Sequence, residues 1–136
     1  MRHEDWRKRL GAYVSEVRAT PFAFGTHDCW LFVTGAVEAM TGTDHAAKHR
    51  GRYKTARGAI GRVLKPIEAK DMGGVASHYF EPTEPAFAQI GDIMAIPTDD
   101  VFGYSLGILN GEQVLVVTAT GIGVRDRADA TRAFRV

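Results

Sequence analysis

The first half of the chain carries apolar residues at helical spacing. Between Glu4 and Arg18 they recur every three or four positions among arginines and glutamates, which predicts an amphipathic helix that ends before Pro21. Residues 28–40 are apolar on nearly every face of a helix, which is typical of a central, buried helix, and Gly42 would close it. A third, shorter helix is predicted over residues 55–64.

The second half of the chain changes to a β-type pattern. Residues 71–88 include Gly73-Gly74 and two prolines and show no clear period, so we predict a loop with at most one strand or turn. Strands are predicted over Ile90–Ile96, Ser105–Leu109 and Glu112–Thr118, with an edge strand over Ala133–Val136. Asn110-Gly111 is a strong hairpin signal, and Gly121-Ile122-Gly123-Val124 is interpreted as a turn between strands. Helices followed by an antiparallel sheet predict an α+β fold.

Length, charge and cysteine content exclude several classes of protein and several kinds of site. The length of 136 residues predicts one domain, and a net charge of +1 without long charged runs argues against a nucleic-acid-binding protein. The single cysteine excludes an internal disulfide framework and a Cys-rich zinc site, and we predict no cofactor and no bound metal. The charged residues 1–6 lack the apolar core of a signal peptide, and no apolar stretch approaches the ~18 residues of a membrane span. We therefore expect synthesis in the cytosol.

Cys29, the only cysteine, has the most informative setting in the chain. It follows Phe24-Gly25-Thr26-His27-Asp28 and opens the apolar run that predicts the buried helix. The N–H groups and the dipole of a first helical turn favour a thiolate, which is the form of cysteine that acts as a nucleophile. The alternative interpretation is a small apolar core residue, because free cysteine is among the most buried residue types.

The partners that a nucleophilic Cys29 needs are harder to find. Asp28, or Thr26 in its place, is the expected helix N-cap, and the Asp28 charge would oppose a thiolate beside it. His27 and His78 are both candidate general bases, His78 only if its segment folds back over the start of the helix. The pair His45 and His49 has the i, i+4 spacing of metal ligands on a helix, but no third ligand is near, so a solvated surface is expected.

The motifs around Cys29 resemble those of NlpC/P60-type cysteine peptidases. The residues 24–29 look like the signature that opens the nucleophile helix of that family, and Gly91-Asp92 looks like the start of its G-D strand. More narrowly, the chain resembles a small group of phage and prophage proteins allied to NlpC/P60. The shared motifs here are Asp28-Cys29, Thr41-Gly42-Thr43-Asp44, Arg50-Gly51-Arg52-Tyr53, Gly91-Asp92 and Leu106-Gly107-Ile108.

The resemblance implies a papain-like α+β fold in which the Cys29 helix packs on an antiparallel sheet. The family's catalytic histidine begins the strand that here starts at Ser105, and no histidine follows His78 in the chain. The third polar residue of the family's triad would fall near Thr118 or Thr120, neither of which is ionisable. The set of candidate catalytic residues is therefore Cys29 as nucleophile with His27, Asp28 and Ser105.

The resemblance, together with the serine in place of the family's histidine, leads to three possible functions. The first is a structural or assembly component of a phage tail tip that has lost the family's catalysis, with tail hub or distal tail proteins as partners in the virion. The second is an active cysteine peptidase or amidase that degrades peptidoglycan during phage entry, with His27 or His78 as an unusual base. A peptidoglycan-binding domain without turnover is a third possibility.

Overall fold

The structure, a computed structural model, describes residues 1–136 and has the predicted α+β architecture. The four α-helices are α1 (Trp6–Val17), α2 (Cys29–Thr41), α3 (Ala56–Ala59) and α4 (Met72–Tyr79). The strands are β1 (Glu81–Thr83), β2 (Ile93–Pro97), β3 (Tyr104–Asn110), β4 (Gln113–Thr118), β5 (Gly121–Asp126) and β6 (Arg132–Arg135). All six pair into one antiparallel sheet. No helix combines the length and the apolar character that crossing a bilayer requires.

The central helix α2 forms as its local signals predict. The Asp28 side chain accepts a hydrogen bond from the backbone N–H of Leu31 at 2.9 Å, and Gly42 ends the helix in the left-handed conformation at φ 84°. Its largest side chains, Trp30 and Phe32, are almost wholly buried, so both caps belong to the most buried helix of the fold. The helix packs between α1 and the sheet, which makes it a rigid support for Cys29.

The last strand lies inside the sheet and not at its edge. The strand order is β1-β6-β2-β3-β4-β5, so the edges are β1 and β5. The prediction of an edge strand over Ala133–Val136 was therefore wrong in position, although a strand is present. Phe134 pairs with Pro82 on one side and with Ile93 on the other, and it is fully buried. Burial of Phe134 on the helical face draws β6 between its two partners.

Two segments differ from the sequence prediction. Residues 72–79 form α4, where we predicted a loop, because Asp71 caps the helix at Gly74 N–H and the core holds Val75 and Ala76 despite the adjacent glycines. The segment 121–124 is part of strand β5 and not a turn, since Gly123 pairs with Val116 of β4. The helix predicted over 55–64 is present, but beyond α3 it widens into a π-helical turn at Ile60–Leu64.

Asp92, the residue before β2, forms hydrogen bonds with residues near both ends of the chain. Its carboxylate accepts hydrogen bonds from Arg2 Nη2 at 2.9 Å and from the backbone N–H groups of Val136 at 3.1 Å and Gln89 at 2.9 Å. Gly91 has φ 93°, and a Cβ at that position would lie 2.7 Å from an Arg2 nitrogen. The Gly91-Asp92 motif therefore has a structural role that lies outside the Cys29 region.

Candidate functional site

Cys29 is the first residue of α2, which packs against β3, the strand that contains Ser105. Backbone groups of Leu106 and Trp30 are close enough to the sulfur to lower the pKa of the thiol, which places Cys29 beside the start of β3. The resemblance placed Cys29 and Ser105 in one site, and in the structure both line one cavity. The helix and the strand are thus paired as the resemblance implies, but the strand carries Ser105, which cannot act as a general base as a histidine does.

The cavity has a volume of about 140 Å³ and mostly apolar walls. Of its fifteen lining residues, twelve are hydrophobic, and the remaining three are Asp28, Asp100 and Ser105. The hydrophobic ones are Phe22, Phe24, Cys29, Trp30, Tyr53, Ala59, Val63, Leu64, Met72, Phe102, Tyr104 and Val117. No lysine, arginine or histidine is among them, so no cationic side chain in the wall would stabilise a negative charge on sulfur.

The thiol of Cys29 is held in its neutral form. Its pKa is raised to about 12, and burial is the largest cause. The nearby Asp28 and Asp100 carboxylates also raise the pKa, whereas backbone groups of Leu106 and Trp30 lower it. We expected the helix terminus to favour a thiolate, and this expectation was wrong. The peptide dipoles act on a half-buried residue in a mostly apolar wall, with two carboxylates as its nearest charges.

Asp28 holds the turn before Cys29 in place. One carboxylate oxygen caps α2 through Leu31, and the other accepts from Gly25 N–H at 3.1 Å and from the Tyr53 hydroxyl at 2.5 Å. The side chain is buried with all these partners, so the predicted N-cap is confirmed. Burial and the Asp28 carboxylate raise the pKa of Tyr53, which keeps its hydroxyl a donor. An Asp28 so occupied positions Cys29 and has no free oxygen to carry a proton.

A second set of contacts fixes the next turn of α2. Arg50 forms an ion pair with Asp44 at 2.7 Å, and its Nη2 donates to Thr34 Oγ1 at 3.1 Å and to the Leu31 carbonyl at 3.3 Å. Asp44, Arg50 and Tyr53 come from the two short motifs that follow α2 in sequence. Together with Asp28 they form what we call the α2 clamp, which braces the helix that carries Cys29.

Close backbone contacts explain two glycines that lie beside the α2 clamp. Gly25 has φ 83°, and a Cβ there would lie 1.7 Å from the carbonyl oxygen of Tyr53, so no side chain fits. Gly51 also has a positive φ of 70°, and its N–H donates to the Gly25 carbonyl at 2.8 Å. The two glycines bring the loop before Cys29 and the loop before α3 into direct contact.

The structure brings neither candidate histidine to the cavity. The ring of His27 lies 5.9 Å from that of Phe32, its Nε2 is buried without a partner, and burial lowers its pKa. His78 is exposed on α4, with its ring 4.7 Å from that of Tyr79. Of the predicted catalytic set, Cys29, Asp28 and Ser105 therefore line one cavity, whereas His27 does not, and neither does the alternative base His78.

The other polar candidates have structural partners. His49 accepts a hydrogen bond from Trp30 Nε1 at 3.0 Å, and the ring of His45 lies 4.8 Å from that of Phe80. Both side chains are half-buried, so the expectation of a solvated pair holds only in part: each ring also packs on an aromatic neighbour. The Thr118 hydroxyl donates to the Gly121 carbonyl at 2.7 Å, and it is Val117 that lines the cavity.

Asp100 is the site residue that sequence reasoning missed. It lies in the loop between β2 and β3, where Thr98 and the Phe102 N–H donate to its Oδ1 at 2.8 and 2.9 Å. Only the folding of that loop over the start of α2 brings it to Cys29, so no local pattern could have identified it. The pair Asp99-Asp100 in a turn predicts nothing more specific than a solvated loop.

The comparisons with known proteins agree with this fold. The chain is similar to the crystal structure of the NlpC/p60 domain of the peptidoglycan hydrolase SagA, with a TM-score of 0.59 and 16% identity over 95% of this chain and 97% of that chain. An NlpC/p60-like fold is thereby shown. No curated protein matches the chain. The model of the family described as "Domain of unknown function (DUF6950)" matches residues 1–136, and the chain therefore belongs to that family.

Proposed function

We propose that this protein is a non-catalytic member of the NlpC/p60-like fold, used as an assembly component of a phage tail tip. The observation that carries the loss of catalysis is the cavity itself: Cys29 lines it, Ser105 stands at the place of the family's histidine, and no basic side chain is present. A serine hydroxyl cannot take a proton from a thiol near neutral pH. The Cys29 cavity therefore remains as a recessed surface that could bind a partner but cannot hydrolyse a peptide bond.

The magnitudes support this proposal. With a thiol pKa raised to about 12, only a very small fraction of the Cys29 side chains is ionised at pH 7. A positioned general base typically contributes about 10²–10⁴ in rate, and this contribution is lost as well. The two effects together leave little of the rate that a cysteine hydrolase needs.

The tail-tip role rests on the motif pattern shared with phage and prophage proteins. In this structure the shared motifs build the α2 clamp and the Asp92 contacts, so they specify the fold more than a reaction. Motifs that preserve a fold without preserving a reaction are what we expect in an assembly component. Its partners would be tail hub or distal tail proteins.

Loss of turbidity of purified murein tests the loss of catalysis. We expect the wild-type protein and Cys29→Ala to give the same flat curve, with lysozyme as a control that the murein is degradable. Clearing by the wild type that Cys29→Ala abolishes would overturn the proposal. Pull-down with the tail hub and distal tail proteins tests the partner, and both forms should be retained equally.

The second candidate function is an active peptidoglycan peptidase or amidase. It is favoured by the likeness to a hydrolase domain and by the position of Cys29 at the start of α2 on a cavity wall. It requires His27 to leave its place beside Phe32, or α4 to carry His78 to the cavity. In this case His27→Gln or His78→Gln should abolish murein clearing, which identifies the base.

A further inference from the structure

The Cys29 cavity has the size of one aromatic ring. Its volume is about 140 Å³, and an engineered protein cavity of about 150 Å³ lined by Leu, Ile and Phe side chains binds benzene. Phe22 and Asp100 are exposed members of the wall, which means that the cavity reaches the protein surface.

The mouth of the cavity presents aromatic edges and faces to an incoming ring. The rings of Phe22 and Phe24 meet edge to face at 4.8 Å, and Phe24 lies 6.0 Å from Phe102. Phe22 is 38% exposed, so part of its ring is open to a partner at the mouth of the cavity. Aromatic pairs in such geometries attract beyond simple burial, so a ring is a better guest here than an aliphatic chain of equal volume.

The charges around the cavity are of one sign. Asp28 has its oxygens occupied inside the fold, but Asp100 is exposed and its Oδ2 accepts no hydrogen bond from the chain. No cationic side chain lines the cavity. The wall therefore offers one free carboxylate oxygen at its outer end, which complements a positive charge and repels a negative one.

We propose that this cavity is the docking site for a segment of a protein partner in which a phenylalanine or tyrosine side chain stands next to a lysine or arginine. The ring enters between Phe22, Phe102 and Cys29, and the cation faces Asp100. This inference rests on the proposed function, because it names the chemistry by which a tail protein would be held. On this proposal the Cys29 cavity, which has lost catalysis, serves to bind a partner.

Titration of the full-length ¹⁵N-labelled protein with short peptides tests the proposal. The probes are acetyl-Gly-Phe-Lys-Gly-amide, the same peptide with alanine for phenylalanine, and the same peptide with glutamate for lysine. We expect saturable amide shifts at Cys29, Phe102 and Ser105 with the first peptide and none with the alanine peptide. The glutamate peptide should bind about two- to fivefold more weakly, which is the range of an exposed ion pair.

Two variants separate the charge from the fold. Asp100→Asn keeps the Oδ1 acceptor for Thr98 and Phe102 but loses the charge, so it should bind the lysine and glutamate peptides alike. Asp99→Asn is the matched control, because Asp99 is an exposed neighbour that does not line the cavity, and it should keep the wild-type preference.

Binding of the alanine peptide as tightly as the phenylalanine peptide, or no shift at these amides with any peptide, would overturn the ring pocket. An unchanged preference for lysine in Asp100→Asn would overturn the role of Asp100. The titration needs no thiol chemistry, so its failure is distinct from the failure of the proposed function, which murein clearing would show.

Discussion

At Cys29, two opposing effects act on one sulfur atom. The start of α2 favours a negative charge, but burial and two carboxylates disfavour it, and the balance lies with the neutral thiol. The helix dipole at a terminus is worth roughly 0.3–1 kcal/mol at the surface, whereas removal of a charge from water costs several times as much. Position in a helix therefore does not by itself make a cysteine reactive.

Alkylation of Cys29 by iodoacetamide should show this directly. In the folded protein we expect a slow reaction whose rate rises about tenfold per pH unit, without a plateau up to about pH 10, because only the thiolate reacts. In guanidinium chloride the same residue should titrate near the free value of about 8.5. An inflection below pH 8 in the folded protein would contradict the neutral-thiol assignment.

The hydroxyl of Tyr53 is the part of the α2 clamp that can be removed most cleanly. Tyr53→Phe leaves the ring in place but deletes the hydrogen bond to the buried Asp28 carboxylate, which should lower the free energy of unfolding by about 1.5–3 kcal/mol. Urea denaturation measures it. Tyr79→Phe is the control, since the Tyr79 ring packs on Trp30 and its hydroxyl bonds to no group of the chain, and it should change little. Equal effects of the two substitutions would argue against the clamp.

His27 should make stability depend on pH. Burial lowers its pKa in the folded protein, so below its ordinary pKa of about 6.5 the unfolded chain takes up a proton that the folded chain resists. The free energy of unfolding should therefore fall as the pH drops from 7 to 5. His27→Leu should make this decline less steep, whereas His78→Gln, an exposed change, should leave it as it is. Denaturation midpoints at several pH values decide between these outcomes.

Among the elements, the turn before α2 depends on one close backbone contact. Gly25→Ala places a Cβ against the Tyr53 carbonyl in a left-handed conformation, and the strain and the overlap together should cost about 3 kcal/mol or more. Gly51→Ala is the matched control, because it shares the positive φ but has no atom within 4 Å of the added carbon, and it should cost about 1–2 kcal/mol. Thermal unfolding compares the two, and a larger loss in Gly51→Ala would contradict the contact.

Elements with strong local signals were predictable, and those that depend on tertiary contacts were not. Helix α2 was predicted with both caps because Asp28 and Gly42 act within a few residues of its ends. Helix α4 was missed because Gly73-Gly74 lowers helix propensity, and only the packing of Val75 and Ala76 against the core compensates. Its cap signal at Asp71 was nevertheless present in the sequence.

The candidate site was predictable in the same uneven way. Cys29 and Ser105 were found from short motifs, but Asp100 comes from a loop about seventy positions along the chain, a separation over which sequence patterns carry no distance information. The place of His27 could not be derived either, since it depends on how the turn at Gly25 is held by Tyr53.

At the scale of the whole molecule, Asp92 connects segments that are far apart in the chain. Arg2 and Asp92 form a mostly buried ion pair with 16% and 6% of their side chains exposed. Asp92→Ala should lower the free energy of unfolding by about 3 kcal/mol, because it leaves the Arg2 cation without its counter-ion and two backbone N–H groups without their acceptor. Asp129→Ala breaks only an exposed pair with Arg125 and should cost less than about 1 kcal/mol. Chemical denaturation of both variants measures the difference, and equal midpoints would refute the assignment.

The interior position of β6 has a consequence for biosynthesis. Residues 132–135 are synthesised after the five other strands of the sheet, yet they lie between β1 and β2. Until they emerge, the nascent chain holds an open β2 edge and an unfilled place for Phe134. The sheet can therefore close only after translation has passed residue 135, and an interrupted chain would present that edge to chaperones or to other unfinished copies.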